Sequence, residues 1–239
     1  MKINKNSNLY TVVYIVVLVL VVGVGLSLVY QALRPQQTEN IANDKKRQIL
    51  EAALIVPQAG ESVADLYQKY IVSTRVVNSR GLDVAGAPAA FDIDPAKEMK
   101  NPDDRRMLPV FVCQKDNETK YIVPVYGMGL WGPIWGYIAM NSDGTSIYGA
   151  YFAHQRETPG LGAEIAKPAF SNQFKGQTLY EDGNFEPIKV VKSGHEPASG
   201  SYVHAISGGT ITSQGVQTML EKSMRPYNAF FKNLQNQGK

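Results

Sequence analysis

Between Lys5 and Arg34 the chain carries no charged side chain, and nothing else in it constrains the fold as strongly. The core of this stretch, from Tyr10 to Tyr30, is almost entirely Val, Leu, Ile and Gly. About 20 apolar residues at about 1.5 Å each cross a hydrocarbon layer of roughly 30 Å, which predicts a transmembrane helix over residues 8–33. Tyr10, Tyr14 and Tyr30 sit near its two ends, where amphipathic rings favour the interface. A cleaved signal peptide would have a shorter apolar region closed by small residues, and Leu28-Val29-Tyr30-Gln31-Ala32-Leu33 offers no such site. The segment therefore reads as a retained single-pass anchor behind a short tail, residues 1–7. Lys2 and Lys5 precede it, and Arg34, Lys45, Lys46 and Arg47 follow, so the flanking charges do not orient it. Gly23 and Ser27, four apart, have a spacing that lets a second helix approach closely.

Pro35 and the polar run Gln36 to Asn40 predict a juxtamembrane linker over residues 34–45. Residues 46–239 then remain for the folded part, enough for one domain with a real core. The net charge of +3 is too mild to indicate nucleic acid. Cys113 is the only cysteine and lies in an apolar run, so it reads as a small buried hydrophobe. One cysteine excludes an intrachain disulfide, a CxxCH haem site and a self-contained cysteine-ligated iron–sulfur cluster. If this chain moves electrons, an organic cofactor carries them. His154, His195 and His204 show no metal-binding spacing.

Short elements follow one another along the domain. Asp44 to Ile55 has the apolar spacing of an amphipathic helix, as does Glu61 to Tyr70. Ile71–Val77, Leu108–Gln114, Tyr121–Val125 and Ser146–Ala153 read as strands, with turns at Asp116-Asn117 and Ser142-Asp143-Gly144. Residues 86–106 read as irregular surface, Phe185 to Lys192 as one further strand, and residues 193–201 as a Gly/Pro loop. A C-terminal helix carries Val216, Met219, Leu220, Ser223, Tyr227 and Phe230, kinked or restarted at Pro226.

Three stretches carry chemistry. Ser207-Gly208-Gly209-Thr210-Ile211-Thr212-Ser213 sets four hydroxyls around two glycines and opens a helix near Thr212, with Thr212 or Ser213 as its N-cap. A glycine turn at a helix N-terminus presents free N–H groups, which suit a phosphate, and it is equally an ordinary capped turn. The block from Tyr126 to Met140 holds both tryptophans and four glycines, which fits either a loop facing a planar ligand or an aromatic corner of the core. Gly127, Gly129 and Gly132 match GxGxxG, yet a strand rather than a helix follows, so the match is accidental. In Glu157-Thr158-Pro159-Gly160-Leu161-Gly162, Glu157 with Thr158 either orients a ligand or caps the turn. The chain has no P-loop and no GxSxG elbow, which counts against a nucleotide-driven enzyme or a serine hydrolase.

Together these three motifs, in this order and spacing over residues 126–220, resemble the FMN-binding family. With the anchor, the whole chain is similar to the flavin-bearing subunits of the sodium-translocating NADH:quinone oxidoreductase. The related Rnf electron-transport complex has a flavin-bearing subunit with the same domain, but the long region over residues 35–125 favours the former. A membrane-anchored flavin-binding module without redox partners is the remaining alternative. The resemblance implies an α+β fold with a twisted, mainly antiparallel sheet and flanking helices. It implies FMN joined by a phosphoester to Thr210, an attachment made by a separate flavin transferase. It further implies a domain on the periplasmic side of the bacterial inner membrane, a cytoplasmic N-terminus, and an electron relay among the other subunits of the complex. Ser207, Gly208, Gly209 and Thr212 would surround the attachment and Lys192 could meet the phosphate. Leu130, Trp131 and Leu161 would give apolar surface to the isoalloxazine, with Glu157, Thr158 and Gly162 beside it. Asp usually stands six residues before the modified threonine in the family, and this chain has His204 there.

Overall fold

The computed structural model describes residues 8–237, so the short tail expected over residues 1–7 lies outside the described residues. The chain divides into two units, residues 1–45 and 46–239. Helix α1 runs Asn8–Ala52 and is the one helix among the described residues long and apolar enough to cross a membrane. It continues through Pro35, so the segment expected as a linker is helical. The reason is local: Gln, Glu, Ala, Lys and Arg, which dominate residues 36–52, are strong helix formers. Thr38 donates its hydroxyl to the Arg34 carbonyl, 3.0 Å, one turn back across the proline. The helix ends in a Schellman turn, with Ile55 N–H donating to Leu50 O and Leu54 N–H to Glu51 O, and with Leu54 at φ 56°.

In the second unit, α2 (Val63–Tyr70) is capped by Ser62, whose hydroxyl accepts from Asp65 N–H at 3.3 Å. Strand β1 (Ile71–Val77) follows, then the short helix α3 (Pro95–Glu98), and then β2 (Leu108–Lys115), β3 (Glu118–Met128), β4 (Pro133–Asn141) and β5 (Ile147–His154). Strands β1 to β5 form one antiparallel sheet in chain order. Asp116 and Asn117, both at positive φ, make the β2–β3 turn read from the sequence. Side chains alternate across the sheet. Leu108 and Val110 face the core under the C-terminal helices; Phe111 and Cys113 face a second core holding Ile49, Leu50, Ala52 and Ala53 of α1. Residues 86–106 are less irregular than expected, with α3 and two short 3-10 turns, and they bury Ala90 and Ile93 in that second core.

Helix α4 (Pro168–Ser171) and two small pairs complete the periphery: β6 (Tyr180–Glu181) with β7 (Asn184–Phe185), and β8 (Lys189–Val191) parallel to β9 (Tyr202–His204). The single strand expected from Phe185 to Lys192 is thus split between β7 and β8. Pro187 stands between them and has no N–H for a ladder. Helix α5 (Thr210–Met224) lies on β3, and α6 (Asn228–Gln237) restarts after a 3-10 turn at Pro226. The architecture is α+β, a twisted antiparallel sheet with helices on both faces.

Candidate functional site

One end of the sheet gathers the three motif stretches. The loop between β3 and β4, residues 129–132, closes the hairpin that the accidental GxGxxG match spans. Helix α5 packs closely beside it, because Gly215 on α5 leaves room for the Met128 carbonyl: a Cβ at 215 would run into that oxygen. The turn after β5, residues 157–162, lies between the two.

The helix starts two residues earlier than the expected Thr212. Helix α5 opens at Thr210 with Gly209 as N-cap, and no side chain caps it. Thr212 and Ser213 are therefore the third and fourth helical residues, and both hydroxyls are used elsewhere. Ser213 Oγ accepts from Ile206 N–H at 3.0 Å, bracing the turn before the helix. Thr212 is 1% exposed and donates its hydroxyl to Glu157 Oε2 at 2.5 Å. Thr210 is the first helical residue and is partly exposed. The N–H groups of Thr210, Ile211 and Thr212 have no backbone acceptor among the described residues, so the helix start offers donors and a positive dipole end.

Gly208 sits at φ 73°, a conformation that L side chains rarely adopt, and a Cβ there would come within 2.6 Å of Leu161 Cδ2. That contact joins the turn before α5 to the 157–162 turn. Gly162 completes the joint: a Cβ there would run into both Thr212 Oγ1 and Glu157 Oε2. Ser207, Gly208 and Thr158 are exposed, and the Thr158 carbonyl accepts from Leu161 N–H and Ala163 N–H, both 3.1 Å.

The two tryptophans part company. Trp131 is 62% exposed on the loop, whereas Trp135 on β4 donates its indole N–H to Gln48 Oε1 at 3.1 Å. The first sits on an exposed loop, and the second is a half-buried strand residue tied to Gln48. Around Trp131, the side chains of Met128, Leu130, Leu161 and Ile211 are also exposed, although each is large and apolar. Scattered single apolar residues are normal on a surface; several on adjoining loops form a shelf for a ligand or partner. Met128 and Ile211 are the members that sequence reading did not single out. A groove of about 650 Å³ continues past Met128 between β3 and α5, lined further by Tyr126, Thr218 and Lys222.

Three sequence candidates fall differently. Lys192 is exposed just beyond β8, and no described contact joins its side chain to the turn at Gly208. His154 has a structural bond: its Nδ1 accepts from Glu157 N–H at 3.2 Å and caps the turn. His204 is part of β9, with its N–H donating to Gln173 Oε1 at 2.8 Å, so the approach to the glycines is pinned rather than loose.

Exposed apolar side chains, a glycine turn, a partly exposed hydroxyl and a helix N-terminus thus come together, and residues 129–225 match the FMN-binding domain family. This protein contains an FMN-binding domain. Its structure superposes on the C subunit of the Na(+)-translocating NADH-quinone reductase from Parabacteroides distasonis with a TM-score of 0.77 and 45% identity, over 83% of this chain and 96% of that one. NqrC of Shewanella oneidensis gives a TM-score of 0.69 and 28% identity over 82% and 98%. The C subunit of the Vibrio vulnificus reductase is 36% identical over 217 residues, 81% of this chain and 85% of its own length. That of Pseudomonas aeruginosa is 30% identical over 255 residues, 97% of each. The chain belongs to the NqrC family, the C subunits of the Na(+)-translocating NADH-quinone reductase.

Proposed function

We propose that this protein is the membrane-anchored flavoprotein subunit that relays electrons within a sodium-translocating NADH:quinone reductase, using FMN held covalently through Thr210. The observation that carries the attachment is the contrast between two hydroxyls two positions apart on one helix. Thr212 is buried and committed to Glu157; Thr210 is accessible at the first position of α5. A phosphoester needs a hydroxyl that a transferase can reach, and only Thr210 of the two meets that condition.

The residues fit the group. Gly208 and Gly209 put no side chain over the hydroxyl, and the free N–H groups at the start of α5 receive phosphate charge. Trp131, Leu130, Leu161 and Ile211 are exposed apolar side chains that would offer surface to the flavin ring. Bound FMN supplies one- and two-electron transfer, and this chain supplies orientation, burial and hydrogen bonds that tune it.

Residues 8–33 form the membrane span, and residues 46–239 form the domain, on the periplasmic side with the N-terminus cytoplasmic. The other subunits of the complex contact this domain and exchange electrons with it, and a flavin transferase matures it. Intact mass of the full chain, co-expressed with a flavin transferase, tests the reading. The expected result is a mass increase of one FMN less water, lost in Thr210→Ala and retained in Thr212→Ser. An increase that survives in Thr210→Ala overturns the assignment.

A further inference from the structure

Glu157 is 4% exposed, and its carboxylate meets no Lys or Arg side chain within ion-pair distance among the described residues. Two hydrogen bonds hold its oxygens in place. Oε1 accepts from the Trp131 backbone N–H at 2.9 Å, and Oε2 accepts from Thr212 Oγ1 at 2.5 Å. The space that it fills is kept open by two glycines. A Cβ at Gly129 would stand 2.5 Å from Oε1, and one at Gly162 would run into Oε2. A buried carboxylate is costly unless its hydrogen bonds are made, so the two donors cannot drift without exposing that cost.

Those two donors belong to different segments. Trp131 N–H is in the β3–β4 loop that carries the exposed indole, and Thr212 is two residues beyond Thr210 on α5. Both oxygens point into protein, which leaves Glu157 outside the shelf that the apolar side chains form. We propose that Glu157 is a positioning residue, whose buried carboxylate latches the aromatic loop to the first turn of α5 and so fixes Trp131 relative to the Thr210 hydroxyl. The proposal rests on the flavin reading for its consequence, and on the two hydrogen bonds for its geometry.

Two variants cut the latch on opposite sides: Thr212→Val removes the hydroxyl donor, and Glu157→Met removes both accepting oxygens while keeping the side chain's length. Thr212→Ser restores the hydroxyl. In the full chain, produced without flavin transferase in detergent, hydrogen exchange at the Trp131 amide should rise roughly tenfold or more in Glu157→Met, which removes its acceptor, and should also rise in Thr212→Val, which frees the carboxyl group that holds it. Exchange at Val123 in the β3 core should stay unchanged, and Thr212→Ser should return Trp131 to the parent rate. In the flavinylated full chain, the visible circular dichroism of the flavin should weaken in Thr212→Val and recover in Thr212→Ser.

Unchanged protection at Trp131 overturns the latch. Equal acceleration at Trp131 and Val123 also overturns it, since that marks a general loss of stability. Lost protection with an unchanged flavin signal overturns the positioning role. A parent chain that takes up no flavin sinks the function proposed above, and the exchange measurement on the unflavinylated chain then still decides the latch.

Discussion

Thr212 and Glu157, 55 residues apart in the chain, share a 2.5 Å hydrogen bond in the interior beneath the exposed motif stretches. Around this bond Gly162 is the tightest fit, with its missing Cβ closer than van der Waals contact to both partners. Gly162→Ala should therefore force the two side chains apart and lower stability by about 1–3 kcal/mol, read as a lower midpoint in urea. Gly160→Ala is the comparison. Gly160 has open space but φ 75°, so it should cost only about 1 kcal/mol of backbone strain and leave flavin attachment alone.

The two tryptophans make a second, separable prediction. Trp131→Ala removes an exposed side chain and should change stability by less than about 0.5 kcal/mol, while shifting the absorption and midpoint potential of the bound flavin. Trp135→Phe removes the bond to Gln48 and should cost on the order of 1 kcal/mol with no change in the flavin spectrum. A flavin spectrum that responds to Trp135→Phe and ignores Trp131→Ala would reverse the assignment of the shelf.

What was legible in the sequence was local. Strand β1 coincides with the expected Ile71–Val77, because β-branched apolar chemistry and flanking turn residues act over a few positions. The Asp116-Asn117 turn was legible for the same reason, since both residues tolerate positive φ. The helix start was misplaced, because Thr and Ser at a glycine turn look like caps; their hydroxyls are instead taken by Glu157 and by Ile206 N–H. No spacing rule announces a bond between residues 157 and 212. The helix expected from Asp44 is instead continuous with the apolar span through Pro35, because the polar residues after that proline are mostly good helix formers. Trp131 and Trp135, close together in one block, could not be told apart until the hairpin placed one on its loop and the other in a strand.

Asp143 gives a pH prediction away from the site. Burial pushes its carboxyl up, but bonds from the Ser146 hydroxyl at 2.6 Å, Ser146 N–H at 2.9 Å and Thr145 N–H at 2.7 Å outweigh it, and the group ends below its ordinary range. A carboxyl depressed in the folded state adds stability above its unfolded pKa, and that share is lost as pH falls through the folded value. Asp143→Asn should therefore be less stable than the parent at pH 7, and the gap should narrow as pH drops below about 4. Thermal melts at both pH values read it; a gap that widens in acid contradicts the sign.

The last prediction concerns His204, six residues before Thr210, where the resemblance leads one to expect Asp. The structure sets this side chain in β9, its Nδ1 3.7 Å from Glu196 Oε1 and its ring against Tyr202. Strand pairing with β8 and the bond to Gln173 hold the backbone, so exchanging the side chain should leave the fold intact. Imidazole offers a nitrogen and no oxygen ligand, so it cannot replace a carboxylate toward a hard cation such as magnesium in a transferase. His204→Asp should therefore raise the rate of flavin transfer to Thr210, measured by intact mass at early times. The new carboxylate would also face Glu196, whose own carboxyl is held low, first by the Gly194 N–H. Like charges at that range oppose each other, so Glu196→Gln added to His204→Asp should increase the gain further. Equal transfer rates for the parent and both variants would show that position 204 does not govern recognition in this chain.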